Sequence, residues 1–261
     1  MKRISLLTWS AALGAGLFTT ACSSDSKTKP TAEEYDDTAQ AIATATSPSN
    51  NGASSGGDVA SMSATVDLSL GVTPPNISLM GNGHFHGTML GLDYDFSLTC
   101  KAAGGATAPC GPATDAATAD VTWSGNLSSS VVSADVNRTG SWTVSGLQSN
   151  TASFSGDSTF SFDMTIHSIF RPGAQATYNF DASANYNAVL IDTTDGATIG
   201  GSAAFSVTAH HMVSGTNHDV DATFDVAAQL TFHDNDTADL TLDGNVHYTI
   251  DLNTGVVAHA N

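Results

Sequence analysis

Beyond residue 57 the chain has no glutamate and only three basic residues, Lys101, Arg138 and Arg171. Against them stand 20 aspartates, a net charge of −17 over residues 58–261. A surface so poor in cations repels nucleic acid and anionic lipid head groups, which excludes a nucleic-acid partner. It favours solubility and attracts divalent cations. Choosing aspartate over glutamate almost throughout suits turns and β-rich structure better than helix. Long apolar runs are also missing. After the amino terminus nothing approaches the roughly 18 consecutive apolar residues that a spanning helix needs. Cysteine is scarce, with three in 261 residues, and that length holds one large or two small domains.

What is there begins with a targeting segment. Met1-Lys2-Arg3 is basic, Leu6 to Phe18 is apolar with small or polar breaks, and Thr19-Thr20-Ala21 leads to Cys22. This is a secretory signal peptide over residues 1–21. The stretch "LFTTAC" resembles the lipobox of bacterial lipoproteins, with Thr19 where that pattern usually has Leu. The resemblance implies cleavage before Cys22 and acylation of that cysteine. Ser23 stands where the usual inner-membrane retention signal is Asp, so the resemblance implies an outer-membrane anchor. Small residues at 19 and 21 also suit ordinary signal peptidase, which would leave Cys22 bare. Cysteine arithmetic favours lipidation. Cys100 and Cys110 are close enough to pair, and the leftover thiol of an exported chain then has an explanation. The loop "KAAGGATAP" between them is expected to be a disulfide-stapled loop, since the spacing is not that of a redox motif.

Residues 22–57 read as a flexible tether of Ser, Thr, Asn, Gly and Pro. One helix is expected inside it, at 32–45, where Thr31 and Glu34 form a capping box and Tyr35, Ala39, Ile42 and Ala43 share a face. Its thin stripe predicts weak docking or none. From about residue 60 the apolar period becomes two. Met62, Ala64, Val66, Leu68 and Leu70 alternate, as do Phe160 to Ile166, Tyr178 to Tyr186, and Phe224 to Phe232. Residues 58–261 are therefore expected to form an antiparallel all-β domain of ten or eleven long strands, with one dry and one wet face. Apolar phase runs unbroken from Leu240 to Leu252, which places Gly244 inside a strand rather than at a hairpin tip. Many dry positions hold glycine or alanine, such as Gly156, Ala182, Ala184 and Ala228. The expected architecture is a sandwich or flattened barrel whose strands curl about a shared core.

Three stretches carry ligand-type or nucleophile-type residues. In "GNGHFHGTMLGLDYDF", a four-residue loop at 88–91 would set Phe85 against Tyr94, His86 against Asp93 and His84 against Asp95. His84, His86, Asp93 and Asp95 would then converge on the wet face, where zinc or another divalent metal could be held. An ordinary solvated face is the stronger expectation. In "HDNDTAD", Asp234, Asp236 and Asp239 offer oxygens of the kind calcium takes, without the length or closing Glu of an EF-hand loop. "GDSTF" is similar to the Gly-Asp-Ser of one esterase family, but Ser158 lies mid-chain in a β run, so no nucleophile role is expected.

These features favour an envelope lipoprotein with a non-catalytic binding or structural β domain. It would be anchored to the outer membrane and meet an envelope protein, a glycan or a small ligand, with no required cofactor. The alternatives are a metal-binding protein or metal-dependent enzyme using the His/Asp cluster, and a transmembrane β-barrel with its apolar face outward.

Overall fold

The computed structural model describes residues 27–47, 49–50, 53–54, 57–89, 92–128, 132–167, 175–213 and 220–260. The signal peptide and Cys22 lie outside the described residues, as do the side chains of Ile166 and His167. Helix α1 (Ala32–Thr46) comes first, then a short ribbon of β1 (Ser49–Asn50) and β2 (Ala53–Ser54), then helix α2 (Asp58–Ser69). Twelve strands follow: β3 (Ile77–Gly81), β4 (His84–Met89), β5 (Leu92–Ala102), β6 (Thr114–Ser128), β7 (Val132–Ser145), β8 (Thr151–His167), β9 (Gln175–Asp192), β10 (Thr198–Val213), β11 (Val220–His233), β12 (Thr237–Leu242), β13 (Val246–Asp251) and β14 (Val256–His259). They form one antiparallel sheet in sequence order, with β3 and β14 at its two edges. The expected all-β class and long strands are present, β8 and β9 reaching 17 and 18 residues. It is a single open meander, not a closed barrel.

The dry face curls around both helices. From Glu34 to Thr46 only Asp36 escapes full burial, and from Asp58 to Ser69 only Ser63 and Asp67 do. A helix buried on every side has to be enclosed. The small residues at Ala182, Ala184, Ala203 and Ala228 leave room on the sheet's inner face, and α1 and α2 belong to the one core that these residues line. The helix at 32–45 is thus present with its capping box. Thr31 Oγ1 accepts from the Glu34 amide at 3.3 Å and the Thr31 amide donates to Glu34 Oε2 at 2.8 Å. Its expected weak docking is corrected: it fills the core.

A second correction concerns Met62 to Leu70, expected as a strand and found largely in α2. Two of the polar residues that mimicked a wet face, Ser61 and Thr65, are buried hydroxyls that bond within the helix. Thr65 Oγ1 donates to the Ser61 carbonyl at 2.8 Å and Ser61 Oγ to the Gly57 carbonyl at 3.4 Å. A helix enclosed on all sides has no polar stripe to show its period.

The turn at 243–245 is the third correction. Leu242 pairs with Val246, so three residues separate the strands and parity is kept across a true hairpin. Asp243 and Gly244 both adopt left-handed φ, 46° and 72°, which glycine tolerates best. The Cys100–Cys110 disulfide is formed, and the Gly111 amide beside it donates to the Ser69 carbonyl at the end of α2, at 3.0 Å. At the other end of the chain Lys27 pairs with Asp225 at 2.6 Å, and the Thr28 amide donates to the Thr223 carbonyl at 2.9 Å. The amino-terminal segment therefore enters the core along β11.

Candidate binding groove on the outer face

Strand register decides what the His/Asp stretch builds. Met89 pairs with Leu92, so only two residues connect β4 to β5, and each predicted partner moves by two. Phe85 faces Phe96, Gly87 faces Tyr94, His86 faces Asp95, Thr88 faces Asp93 and His84 faces Ser97. The faces are as expected; the pairings are not. On its other side Gly87 lies against the residue before β3, where a Cβ would run into the Asn76 carbonyl oxygen. His86 Nδ1 lies 2.9 Å from Asp95 Oδ1, while Asp93 accepts from Thr88 Oγ1 at 3.0 Å. Of the four predicted residues, His86 and Asp95 pair with each other, Asp93 bonds to Thr88 instead, and His84 faces Ser97, so they do not form a four-ligand centre. Among the described residues no three His, Cys, Asp or Glu side chains are placed to share a metal ion.

The calcium-type residues also separate. Asp236 Oδ1 accepts from the Thr198 amide at 2.8 Å, and Asp239 Oδ2 lies 3.0 Å from His233 Nε2. Asp234 gives its carbonyl to Thr237 Oγ1 at 3.2 Å. Asp236 ties its turn to the start of β10, Asp239 pairs across β11 and β12, and Asp234 closes its own turn.

Two cross-strand rows extend from the histidines over the sheet's outer face. One runs His84, Ser97, Asp120, Ser141, Asp157 and Asn185; the next runs His86, Asp95, Thr122, Thr139, Thr159 and Ser183. Hydrogen bonds hold them in place. Ser141 Oγ donates to Asp120 at 2.7 Å, Asn185 Nδ2 to Asp157 at 2.7 Å, and the Thr139 and Thr159 hydroxyls are 2.8 Å apart. Over the β4–β8 part of these rows lies a groove of about 630 Å³, with exposed Met80 on its rim. The arrangement offers carboxylate and hydroxyl acceptors on a floor of rigid strands beside one apolar side chain.

Inside, sequence reasoning missed two buried charge networks. Arg138 pairs with Asp58 at the start of α2, and both side chains are fully buried. Arg138 Nη2 also donates to Ser158 Oγ at 2.8 Å, and Tyr186 donates to Asp58. The guanidinium carbon lies 4.6 Å from the Phe160 ring centre and 5.6 Å from that of Trp123. Burial lowers the Arg138 pKa to about 10, which leaves it charged at neutral pH. Ser158 is sealed in this cluster and cannot meet a substrate from solvent. Around α1, Tyr178 donates to Asp37 at 2.7 Å, Tyr248 to Asp36 at 2.8 Å and Tyr35 to Asp243 at 2.8 Å. His211 Nδ1 lies 2.8 Å from Glu34 Oε1. The signal was present in the strand phase. Arg138 occupies the dry phase between Val136 and Trp142, and His211 follows Phe205, Val207 and Ala209.

The chain matches no family model, no curated protein and no solved structure. Its class rests on its own geometry: an open antiparallel meander wrapped around two helices, with a polar groove outside.

Proposed function

We propose that this is an exported, lipid-anchored envelope protein whose β domain is a non-catalytic binding module, working through the groove over β4–β8. One observation carries the reading. The inner face is filled by α1 and α2, so a ligand would meet the outer face, where a groove of about 630 Å³ lies between Met80 and Asp157. Its side chains stand on strands joined by continuous backbone ladders, which suits recognition more than chemistry. The apolar residues point at the helices and the aspartates point outward, the reverse of a lipid-facing barrel. Acylation of Cys22 would hold the module at the outer membrane.

The test uses the full-length lipidated protein with a photoreactive residue in place of Thr122. Envelope extracts are expected to yield a discrete cross-link that Ser141→Trp abolishes by filling the groove, while Thr241→Trp on β12 leaves it intact. Equal cross-linking by all three proteins would remove the groove from consideration. Mass spectrometry of the mature amino terminus tests the anchor separately, and an unmodified Cys22 would overturn it.

A further inference from the structure

We infer that the free edge of β3 is a strand-addition site for an extended polypeptide whose residues alternate apolar and basic. The inference rests on reading the domain as a binding module, and it names the partner's chemistry. Among the described residues β3 pairs only with β4, so one side of its backbone faces no described strand. Edges of this kind are usually guarded by charge. Here no charged residue lies between Asp67 and Asp93, in a chain of net charge −18. Leu79 and Met80 are 60% and 71% exposed, among the few large apolar side chains so placed. The opposite edge differs, because α1 packs on β14 and His259 pairs with Asp36 at 3.1 Å.

What flanks β3 selects the occupant. Leu79 shares the register of buried Phe85 and opens on a groove of about 460 Å³, lined by Leu98, Thr107, Ala108 and Pro109 with no charged residue in its lining. Met80, the extra residue where the β3–β4 register shifts between Leu79 and Gly81, opens on the larger groove that holds Asp95, Asp120 and Asp157. A strand laid along β3 sends successive side chains to opposite faces. One set enters the uncharged groove, and the other meets the aspartates. Backbone hydrogen bonds supply affinity and the two grooves supply sequence preference. A basic set gains from the acidic surroundings, whereas a second copy of this chain brings its own net negative charge to the approach.

Blocked nonapeptides tagged with a fluorophore test this on the full-length protein at physiological salt. Alternating Val and Lys should bind with a Kd on the order of 10 μM, and the same composition in blocks about tenfold more weakly. Alternating Val and Glu should not bind. Leu79→Asp and the pair Asp120→Asn/Asp157→Asn should each weaken binding about tenfold. Asp221→Asn/Asp239→Asn, an equal charge change on β11 and β12, should leave it within about twofold. Equal binding of blocked and alternating peptides, or equal loss in the β11–β12 variant, would reduce the effect to diffuse charge attraction and overturn the inference. So would a dimer in sedimentation that Leu79→Asp dissociates, because the edge would then belong to a second copy. Groove-dependent cross-linking without peptide binding would leave the binding module standing and remove strand addition alone.

Discussion

At the scale of single residues, the buried ions make the sharpest demands. Arg138 and Asp58 lose their hydration together and are tolerable because their charges offset each other, with hydrogen bonds from Arg138 to Ser158 and from Tyr186 to Asp58. Arg138 Nε and Nη1 and Asp58 Oδ1 have no hydrogen-bond partner among the described residues. Removing one partner strands the other, which costs about 3–5 kcal/mol. Arg138→Met is therefore expected to lower unfolding free energy by that amount in urea titration, and adding Asp58→Asn should recover most of the loss. Additive losses would mean that the two ions are not coupled. Asp37 has a different signature. Burial raises its pKa from 3.8 to about 6, outweighing the hydrogen bond from Tyr178 and nearby His211; Glu33 and Asp36 push the same way as burial. Its folded pKa lies above the unfolded value, so the native state holds a proton that the unfolded chain releases. The stability from this group is greatest below pH 3.8 and is lost as pH rises through about 6. Asp37→Asn should consequently be more stable than the parent at pH 7.5, on the order of 2 kcal/mol, and the advantage should vanish near pH 4. An advantage that is the same at both pH values would assign the effect to packing.

At the scale of elements, period two identified most of the sheet because each long strand has one buried and one wet face. Phe160-Phe162-Met164 and Tyr178-Phe180-Ala182 state that directly. Register between β4 and β5 was less legible, since shifting the pairing by two residues preserves every face. The patterns of β4 and β5 by themselves therefore do not choose between the two registers. The helices were hardest to read. Thr38, Thr44 and Thr65 donate to carbonyls four residues back, and that is how a helix can bury its own hydroxyls. A sequence pattern records which side chains are polar, not whether their own helix satisfies them. The outer groove was legible at its edge, through His84 and His86, but its far side depends on β6 to β8 stacking in register. Burial of α1 carries its own prediction. Ile42, 1% exposed, should behave as a core residue, and Ile42→Ala should cost about 2–4 kcal/mol in urea unfolding. A loss below about 0.5 kcal/mol would place α1 outside the cooperative core.

At the scale of the whole molecule, one sign of charge covers the exterior. The described strands put Asp95, Asp120, Asp135, Asp157, Asp181, Asp221 and Asp239 on the outer face, with few cations to oppose them. The exposed pairs, His86 with Asp95 and Lys27 with Asp225, gain little each in water. Summed repulsion between carboxylates opposes a compact state, and it is relieved when ions shorten its range from roughly 20 Å to roughly 4 Å. The buried Arg138–Asp58 pair is beyond the reach of that screening. Raising sodium chloride from about 0.02 M to about 0.5 M should therefore increase the urea midpoint. Asp120→Asn/Asp157→Asn should reproduce part of that increase at low salt and respond less to added salt. A midpoint that falls with salt would mean that the few exposed pairs outweigh the repulsion of the whole acidic face.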